Sequence, residues 1–263
     1  MRTLRVEASR PYDILVGRGL LDQVGELSRQ VNRSGRVMIV TDSHVGPLYA
    51  ERVRRSYEEA GYEADVFTFA AGEENKRLAV IAELYARLAN SRFGRGDLLA
   101  ALGGGVAGDM TGFAAATWLR GVDFVQIPTS LLAQVDSSVG GKTGVDIPEG
   151  KNLVGAFWQP ARVIADPAVL ETLPGEMFAD GLAEVVKSAC IRDEGLFIDL
   201  ENGRESDPEG LEEIIVRSIG IKRDVVERDE NESGERKLLN FGHTMGHAWE
   251  TFYHYTEIGR AHV

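Results

Sequence analysis

The segment DLLAALGGGVAGD, residues 97–109, decides how this chain folds. An apolar run at residues 98–102 ends in three glycines, and a helix-forming stretch follows at residues 107–118. A short apolar run bounded by glycines is typical of a buried strand. A strand that turns directly into a helix is the building unit of a parallel α/β sheet.

Strand and helix patterns alternate on both sides of this segment. Residues 2–8 and 11–17 alternate apolar and polar around Ser9-Arg10-Pro11, which predicts a hairpin. The alternation that follows predicts a parallel sheet with helices on both faces. The further predicted strands are residues 35–42, 63–69, 97–105 and 122–129, and the predicted helices are residues 46–60, 75–91 and 107–118.

After about residue 150 the strand patterns give way to helical ones. We therefore predict an α/β N-terminal domain with a Rossmann-like parallel sheet at residues 1–155, and an all-α C-terminal domain at residues 156–263. The transition lies near residues 150–165. The predicted helices of the second domain are residues 174–201, residues 208–230 with Pro208 in the first turn, and residues 237–252.

Composition excludes several classes of partner. The chain has 263 residues and a formal net charge of −12, which makes it a poor candidate for binding nucleic acid or an anionic membrane. Its one cysteine, Cys190, excludes an internal disulfide. The first ten residues lack an apolar core of signal-peptide length, and no run approaches the roughly 18–20 apolar residues of a membrane span. We expect a cytoplasmic protein with no nucleic-acid or membrane partner.

The glycine-rich turn is a candidate phosphate site. Gly103, Gly105 and Gly108 match the pattern G-x-G-x-x-G, in which backbone amides at a helix start bind phosphate. The alternative is a tight strand–helix turn without a ligand. Asp42 ends an earlier predicted strand, where an acidic residue can bind the ribose of a dinucleotide or cap the next helix.

The segment at residues 128–152 is rich in Gly, Ser, Thr and Asp. Thr129 and Ser130 follow a predicted strand directly, where open α/β sheets bind ligands. Lys142 and Lys151 have glycine neighbours, which suits a cation brought close to a phosphate. The alternative is a surface hairpin with solvated lysines.

Two predicted helices carry potential metal ligands. In KLLNFGHTMGHAWE, residues 237–250, His243 and His247 lie one helical turn apart. Glu184 and Lys187 share one helical face among small and apolar neighbours, and a buried carboxylate needs a partner or a metal. Glu184 with His243 would suit zinc or a similar divalent ion. Catalytic metals usually have three protein ligands.

Taken together, several motifs resemble the 3-dehydroquinate synthase family of sugar-phosphate cyclases, from residue 39 to about residue 256. The resemblance implies an NAD-binding α/β domain and a helical domain for metal and substrate. It implies a carbon–oxygen lyase of the shikimate pathway with catalytic NAD and one divalent metal, zinc or cobalt. Its substrate would be a small anionic sugar phosphate, 3-deoxy-D-arabino-heptulosonate 7-phosphate. The motifs are GGGVAGD, TWLRG, QIPTSLLAQVDSSVGGKTGVD, GLAEVVKSA and KLLNFGHTMGHA.

The resemblance also implies residue roles. The metal ligands would include Glu184 and His243, so the hypothesis that both histidines bind the metal gives way, and His247 would act in proton transfer. Arg120 would reach the active site of a neighbouring subunit, which implies a homodimer. The implied cofactor residues are Asp42, Glu73, Lys76, Gly105, Val106, Gly108, Asp109, Thr129, Ser130, Lys142, Lys151 and Thr172. The implied substrate residues are Asp136, Lys142, Asn152, Lys187, Lys222, Arg236, Asn240 and His247.

The third metal ligand of the family has no match in this sequence. The resemblance places it in a His-Gly-Glu motif about four helical turns after His247, near Arg260. His254 and His262 stand in other contexts and receive no role. The ending EIGRAHV matches the translation of a sequencing-library adapter, so we expect the native residues of this sequence to end near Thr256 and the missing part of the native protein to hold the third ligand.

Three alternatives stay open. Another sugar-phosphate cyclase would share the NAD and metal chemistry, although Lys222, Asn240 and His247 favour dehydroquinate synthase. A glycerol-dehydrogenase-like oxidoreductase would consume NAD stoichiometrically. A non-catalytic NAD-binding remnant is the leading alternative if EIGRAHV is the native C-terminus.

Overall fold

The computed structural model describes residues 1–242 and Gly246. Within these residues a mostly parallel sheet is followed by a group of helices. The strands are β1 (Arg2–Val6), β2 (Tyr12–Val16), β3 (Arg36–Asp42), β4 (Glu63–Phe69), β5 (Leu98–Gly103), β6 (Asp123–Pro128), β7 (Lys142–Ile147), β8 (Gly150–Phe157) and β9 (Arg162–Ala165). The α-helices are α1 (Val24–Arg29), α2 (Gly46–Glu59), α3 (Leu78–Asn90), α4 (Gly105–Thr117), α5 (Gly175–Arg192), α6 (Glu194–Glu201) and α7 (Pro208–Arg228).

Strand β3 shows why the sheet is buried on both faces. Val37 and Ile39 pack in one core cluster with side chains of α2, whereas Met38 and Val40 pack in another with side chains of α3 and α4. Successive side chains of a strand point to opposite faces. A strand that helices cover on both sides therefore needs apolar residues at every position. The predicted α/β arrangement is confirmed.

The strand order creates an opening at one edge of the sheet. The order is β1-β2-β9-β6-β5-β3-β4, and among these strands β1 alone runs antiparallel to its neighbour. Strand β3 lies between β4 and β5, so the connections that follow β3 and β4 leave in opposite directions. Such a reversal leaves a crevice at the carboxyl ends of the strands, here between β3 and β5.

Strand β9 belongs to the sheet although it follows the predicted boundary at residue 155. It pairs with β2 and with β6, and so it joins the N-terminal hairpin to the rest of the sheet. A division that keeps the sheet whole would fall after Ala165. The division into residues 1–155 and 156–263 stays a prediction.

Residues 142–157 form an antiparallel hairpin of β7 and β8, as the alternative interpretation of the lysine-rich segment predicted. The hairpin packs on α4, and the approach is close at Gly112. A Cβ atom on Gly112 would lie 2.3 Å from Thr143 Cγ2. The small residue therefore allows the hairpin to lie directly against the helix that begins at the glycine turn.

The helical part packs against the N-terminal hairpin. Ile215 and Ile219 of α7 share a core cluster with Val6 and Ile14. The predicted helix over residues 174–201 is wrong as one unit, because Asp193 accepts a hydrogen bond from Leu196 N (3.0 Å) and caps a new helix, α6.

Two further predictions concern helices and the membrane. The predicted helix over residues 208–230 is confirmed as α7. Of residues 237–252, residues 237–240 belong to a 3₁₀ helix, Glu235–Asn240, and Phe241 and Gly242 form a turn. Within the described part of the chain, no helix is long and apolar enough to cross a membrane.

Candidate active site

The crevice between β3 and β5 is lined by Asp42 and by the glycine turn. Asp42 Oδ1 accepts hydrogen bonds from the backbone amides of His44 (2.7 Å) and Val45 (2.9 Å) and so closes the turn before α2. The alternative prediction that Asp42 caps the helix itself is wrong, because the N-cap residue of α2 is Val45 and no side chain caps the helix. A Cβ on Gly103 would lie 3.5 Å from Asp42 Oδ2 and 2.6 Å from Ala107 Cβ. The crevice is open because Gly103 has no side chain.

The N-terminus of α4 faces this crevice. Cβ atoms on Gly104 and Gly105 would stand 3.4 Å from Ser130 Oγ and 3.3 Å from Ser137 Oγ respectively. The backbone amide of Thr129 donates to Gly103 O at 2.9 Å and fixes the turn. Free amides at a helix start, bare glycine backbone and nearby hydroxyls fit the pyrophosphate of a dinucleotide.

Lys76 connects the crevice to a second group of polar residues. Its side chain is buried, and Nζ lies 2.7 Å from Asp109 Oδ2 and donates to Asn152 Oδ1 at 2.6 Å. Burial lowers the pKa of Lys76, but the carboxylates of Asp109 and Glu73 outweigh burial and raise it above its usual value. Lys76 is therefore a fixed cation where the predicted cofactor and substrate residues meet.

A cavity of about 430 Å³ lies between the β7–β8 hairpin, α5, α7 and residues 229–240. Most of the predicted substrate residues line it, and their roles remain predictions. Apolar walls come from Val139, Leu153, Phe157 and Leu239. The charged and amide side chains of the lining are Asp109, Asp136, Lys142, Asn152, Lys187, Lys222, Glu232, Arg236 and Asn240.

Lys222 on α7 is paired with Asp136. Its Nζ donates to Asp136 O at 2.8 Å and lies 2.7 Å from Asp136 Oδ1. Asp136 lies on a π-helical turn, Ala133–Ser137, a distortion that is frequent at functional sites. Burial lowers the pKa of Lys222 to about 8, although the Asp136 carboxylate acts in the opposite direction. Lys222 can therefore exchange its proton close to neutral pH.

Glu184 and Lys187 form a buried ion pair on α5. Glu184 Oε2 faces the Lys187 ammonium, but it accepts no hydrogen bond of normal geometry from the described residues. A buried carboxylate oxygen of this kind fits one ligand of a divalent ion. Among residues 1–242 and Gly246, no three His, Cys, Asp or Glu side chains are grouped as a metal site. His243 and His247 lie outside the described residues.

Sequence reasoning missed Glu232, which closes one side of the cavity. Glu232 Oε2 lies 2.5 Å from Lys142 Nζ, and Oε1 accepts a hydrogen bond from Asn240 Nδ2 at 3.2 Å. Its backbone has a φ of +57°, an unusual value for a residue with a side chain. No local sequence pattern marks Glu232 as a residue of the site.

Three further predicted residues lie neither in the cavity lining nor in the contacts of the crevice described above. Arg120 is exposed and has a φ of +68°, next to Leu119 with a φ of +49°. Thr172 is exposed and shares a 2.6 Å hydrogen bond with the Tyr49 hydroxyl. Lys151 lies on β8, partly buried. These positions leave the predicted roles of the three residues untested.

Two family models match the chain. One, described as 3-dehydroquinate synthase N-terminal, matches residues 66–180, and one described as 3-dehydroquinate synthase C-terminal matches residues 181–262. The 3-dehydroquinate synthase of Clostridium beijerinckii is 47% identical over 261 residues, which are 98% of this chain and 75% of that protein. The enzyme of the same name from Citrifermentans bemidjiense is 50% identical over 251 residues, which are 94% of this chain and 69% of that protein.

Solved structures share the fold. A 2-deoxy-scyllo-inosose synthase complexed with carbaglucose-6-phosphate, NAD⁺ and Co²⁺ has a TM-score of 0.88 at 27% identity, over 98% of this chain and 72% of that one. A 2-epi-5-epi-valiolone synthase from Streptomyces hygroscopicus with NAD⁺ and Zn²⁺ bound has a TM-score of 0.86 at 28% identity, over 98% and 72%. The predicted fold class, an α/β domain followed by a helical part, is confirmed.

Proposed function

The chain belongs to the 3-dehydroquinate synthase family of sugar-phosphate cyclase enzymes, and we propose that it converts 3-deoxy-D-arabino-heptulosonate 7-phosphate into 3-dehydroquinate and phosphate. One observation carries the proposal. Buried cations surround a cavity that meets a glycine-lined crevice at Lys76 and Asp109. A dinucleotide in the crevice would therefore reach toward an anion in the cavity.

The charges of the cavity support an anionic substrate. Lys187, Lys222 and Arg236 are buried at its wall, in a chain whose net charge is −12. Burying cations is costly unless anions compensate them. Glu184 and Asp136 pair with the two lysines, whereas Arg236 donates to backbone carbonyls, which leave its charge for a further anion. The proposed substrate carries a carboxylate and a phosphate, and the planar fork of an arginine suits either group.

The described residues that would hold NAD lie at the crevice and its junction with the cavity. Asp42 would bind the adenosine ribose, and the amides at the start of α4 would bind the pyrophosphate. Glu184 would be one metal ligand and His243, outside the described residues, another. When bound, NAD would accept a hydride from C5 of the substrate and return it, and the metal would acidify and orient the C5 hydroxyl.

The side chains of this protein would hold the substrate in one geometry while phosphate leaves. Lys222 Nζ, with a pKa of about 8, can keep or release a proton near neutral pH. Asp136 holds that ammonium in place through its carboxylate and its carbonyl. Lys142, half exposed at the mouth and paired with Glu232, would contact the more solvated end of the substrate. Fixed positions of this kind lower the barrier of a multistep reaction.

The proposed homodimer rests on Arg120. Leu119 and Arg120 have positive φ values in an exposed turn, and non-glycine residues with such backbone cluster at active sites and ligand-binding segments. We propose that Arg120 enters the site of a neighbouring subunit. Arg120→Ala should then lower activity. Mixing this variant with a second inactive variant that keeps Arg120 should restore part of the activity.

A different sugar-phosphate cyclase activity has one specific observation in its favour, the TM-score of 0.88 with 2-deoxy-scyllo-inosose synthase. Identities of 47% and 50% with 3-dehydroquinate synthases favour the first proposal. The test gives purified protein NAD, Zn²⁺ or Co²⁺, and either 3-deoxy-D-arabino-heptulosonate 7-phosphate or glucose 6-phosphate, and identifies the products by NMR. We expect 3-dehydroquinate from the first substrate alone. Turnover of glucose 6-phosphate, or of neither compound, would contradict the proposal.

A further inference from the structure

The guanidinium group of Arg236 is held at both ends by backbone carbonyls. Arg236 is about 1% exposed. Its Nη2 donates to Gly140 O at 3.1 Å, and its Nη1 donates to Glu230 O. Because a guanidinium is planar and rigid, two fixed carbonyls determine where the whole group points. The orientation of Arg236 in the cavity therefore depends on what fixes the two residues that carry these carbonyls.

Gly140 has no side chain that could fix its backbone. Gly140 has a φ of +95°, and a Cβ there would lie 2.5 Å from Arg236 Nη2 and 2.8 Å from Val226 Cγ2. Its backbone amide instead donates to the Tyr12 hydroxyl at 3.0 Å. Tyr12 lies on β2, is about 1% exposed, and does not line the cavity. The hydroxyl of a core tyrosine thus fixes the Val139–Gly140 peptide, and the carbonyl that binds Arg236 is attached to the same Gly140 Cα.

The second carbonyl is tied to the same hairpin. Ser9, in the turn between β1 and β2, donates from its backbone amide to Glu230 Oε2 at 2.8 Å and from its hydroxyl to Oε1 at 2.6 Å. Gln159 Nε2 also donates to Glu230 Oε1 at 2.7 Å. Both residues whose carbonyls bind Arg236 are therefore anchored to the N-terminal hairpin, Gly140 by a partner 128 residues away in the sequence and Glu230 by one 221 residues away.

We propose that Tyr12 is a positioning residue for Arg236, acting through the backbone of Gly140, and that the N-terminal hairpin thereby sets how the cavity binds the substrate anion. The proposal rests on the proposed function for its effect on substrate. Burial raises the pKa of Tyr12 to about 12, so the hydroxyl is neutral at working pH. Removing it leaves the buried Gly140 amide without this acceptor, so the Val139–Gly140 peptide can rotate and displace the adjoining Gly140 carbonyl.

The test compares Tyr12→Phe with Tyr57→Phe. Tyr57 on α2 is also fully buried, and its hydroxyl hydrogen-bonds Ser28 Oγ at 3.0 Å in a different core cluster. Both variants lose one buried hydroxyl, so we expect similar losses of thermal stability. We expect Tyr12→Phe to raise KM for the substrate roughly tenfold, the equivalent of one lost charge-assisted contact, and Tyr57→Phe to leave KM unchanged.

A double variant separates positioning from general damage. If Tyr12 acts through Arg236, adding Tyr12→Phe to Arg236→Lys should raise KM no further, whereas independent effects would multiply. Unchanged KM and kcat in Tyr12→Phe, with active wild-type protein, would overturn the proposal.

A readout without substrate covers the case in which the wild type is inactive and the proposed function fails. The Arg236 Nε–H signal in ¹H–¹⁵N NMR, identified by its loss in Arg236→Lys, should shift in Tyr12→Phe and stay in place in Tyr57→Phe. An unmoved signal in Tyr12→Phe would overturn the positioning role whatever the activity of the wild type.

Discussion

The nucleotide crevice and the charged cavity are built in opposite ways. The crevice consists of backbone, with Gly103–Gly105 at the end of β5 facing Asp42 at the end of β3. The cavity consists of long charged side chains from α5, α7 and the hairpin of β7 and β8, held in pairs such as Lys222 with Asp136. This difference teaches that NAD binding in the crevice should be sensitive to added atoms, and that turnover in the cavity should be sensitive to lost charges.

The largest expected effect comes from removing a cavity cation. Lys187→Ala should slow turnover by about 10²-fold or more, because it removes a cation that would hold the substrate in the reactive geometry. It also leaves Glu184 as a buried carboxylate without its ammonium partner, and breaking such a pair costs about 3–5 kcal/mol of stability. Steady-state kinetics and thermal unfolding of the same sample measure both effects.

Two controls make the Lys187 result decisive. Lys187→Arg keeps the charge next to Glu184, so it should fold normally and still be slow, because the cation is displaced. Lys237→Ala removes an exposed cation from the neighbouring 3₁₀ helix and should change neither rate nor stability. Near-normal turnover in Lys187→Ala would remove Lys187 from the site.

An added methyl group should damage the crevice instead. In Gly104→Ala the new Cβ would stand 3.4 Å from Ser130 Oγ, so the fold can accept it while the space beside the helix start becomes smaller. We expect NAD affinity to fall by roughly tenfold, about 1.4 kcal/mol, with little change in thermal stability. Titration of NAD by calorimetry measures this. Gly96→Ala, where a Cβ would meet no atom within 4 Å, is the control, and equal NAD affinity in all three proteins would break the comparison.

A smaller effect should appear in how KM for the anionic substrate depends on pH. Because burial lowers the pKa of Lys222 to about 8, its positive charge is lost above that pH, and KM for the anionic substrate should rise between pH 8 and 9. The free energy of unfolding should rise with pH over the range in which substrate binding weakens. The unfolded chain keeps this proton up to about its ordinary pKa of 10.5, so stability contributed by this group rises between pH 8 and 10.5.

Lys222→Arg tests the pH effect directly. An arginine stays charged over this range, so the rise in KM above pH 8 should become flatter. Kinetics from pH 6.5 to 9.5 on both proteins would show it. A wild-type KM that does not change with pH, or an identical profile in the variant, would exclude Lys222 as the source.

The smallest expected effect concerns the loop before Arg236. The Asp229 carboxylate accepts hydrogen bonds from the backbone amides of Ser233 (2.8 Å), Gly234 (2.6 Å) and Arg236 (3.0 Å). These hydrogen bonds, of which the one from Arg236 has the largest effect, hold the pKa of Asp229 well below its usual range. The stability it contributes is present above the ordinary pKa of 3.8 and is lost as pH falls further. Asp229→Asn should lower Tm slightly at neutral pH and weaken the acid-induced loss. An unchanged Tm at pH 7 would contradict this.

The sequence predicted the crevice better than the connections around the cavity. The glycine turn and Asp42 are local features, because strand, turn and helix follow one another along the chain. Strand β9 was missed because four residues, Arg162–Ala165, carry too little pattern to distinguish a buried strand from any apolar stretch. The break at Asp193 was missed because a helix cap can sit inside an otherwise continuous helical pattern.

The cavity residues were predicted by resemblance rather than by pattern. Lys187 and Lys222 are on different helices, and nothing in their spacing indicates that they line one cavity. Glu232 and Tyr12 were missed because their contacts, to Lys142 and to the Gly140 peptide, join segments far apart in the chain. Long-range pairs of this kind depend on the tertiary structure, which local propensity does not encode.

Counting the product formed per NAD tests the central claim most directly. Purified protein receives 3-deoxy-D-arabino-heptulosonate 7-phosphate, a divalent metal and NAD at a small fraction of the substrate concentration, while released phosphate and NADH absorbance are followed together. If crevice and cavity form one cyclase site, many phosphates should be released per NAD and NADH should not accumulate. One NADH for each substrate consumed, or no phosphate release from protein that binds NAD, would contradict the account.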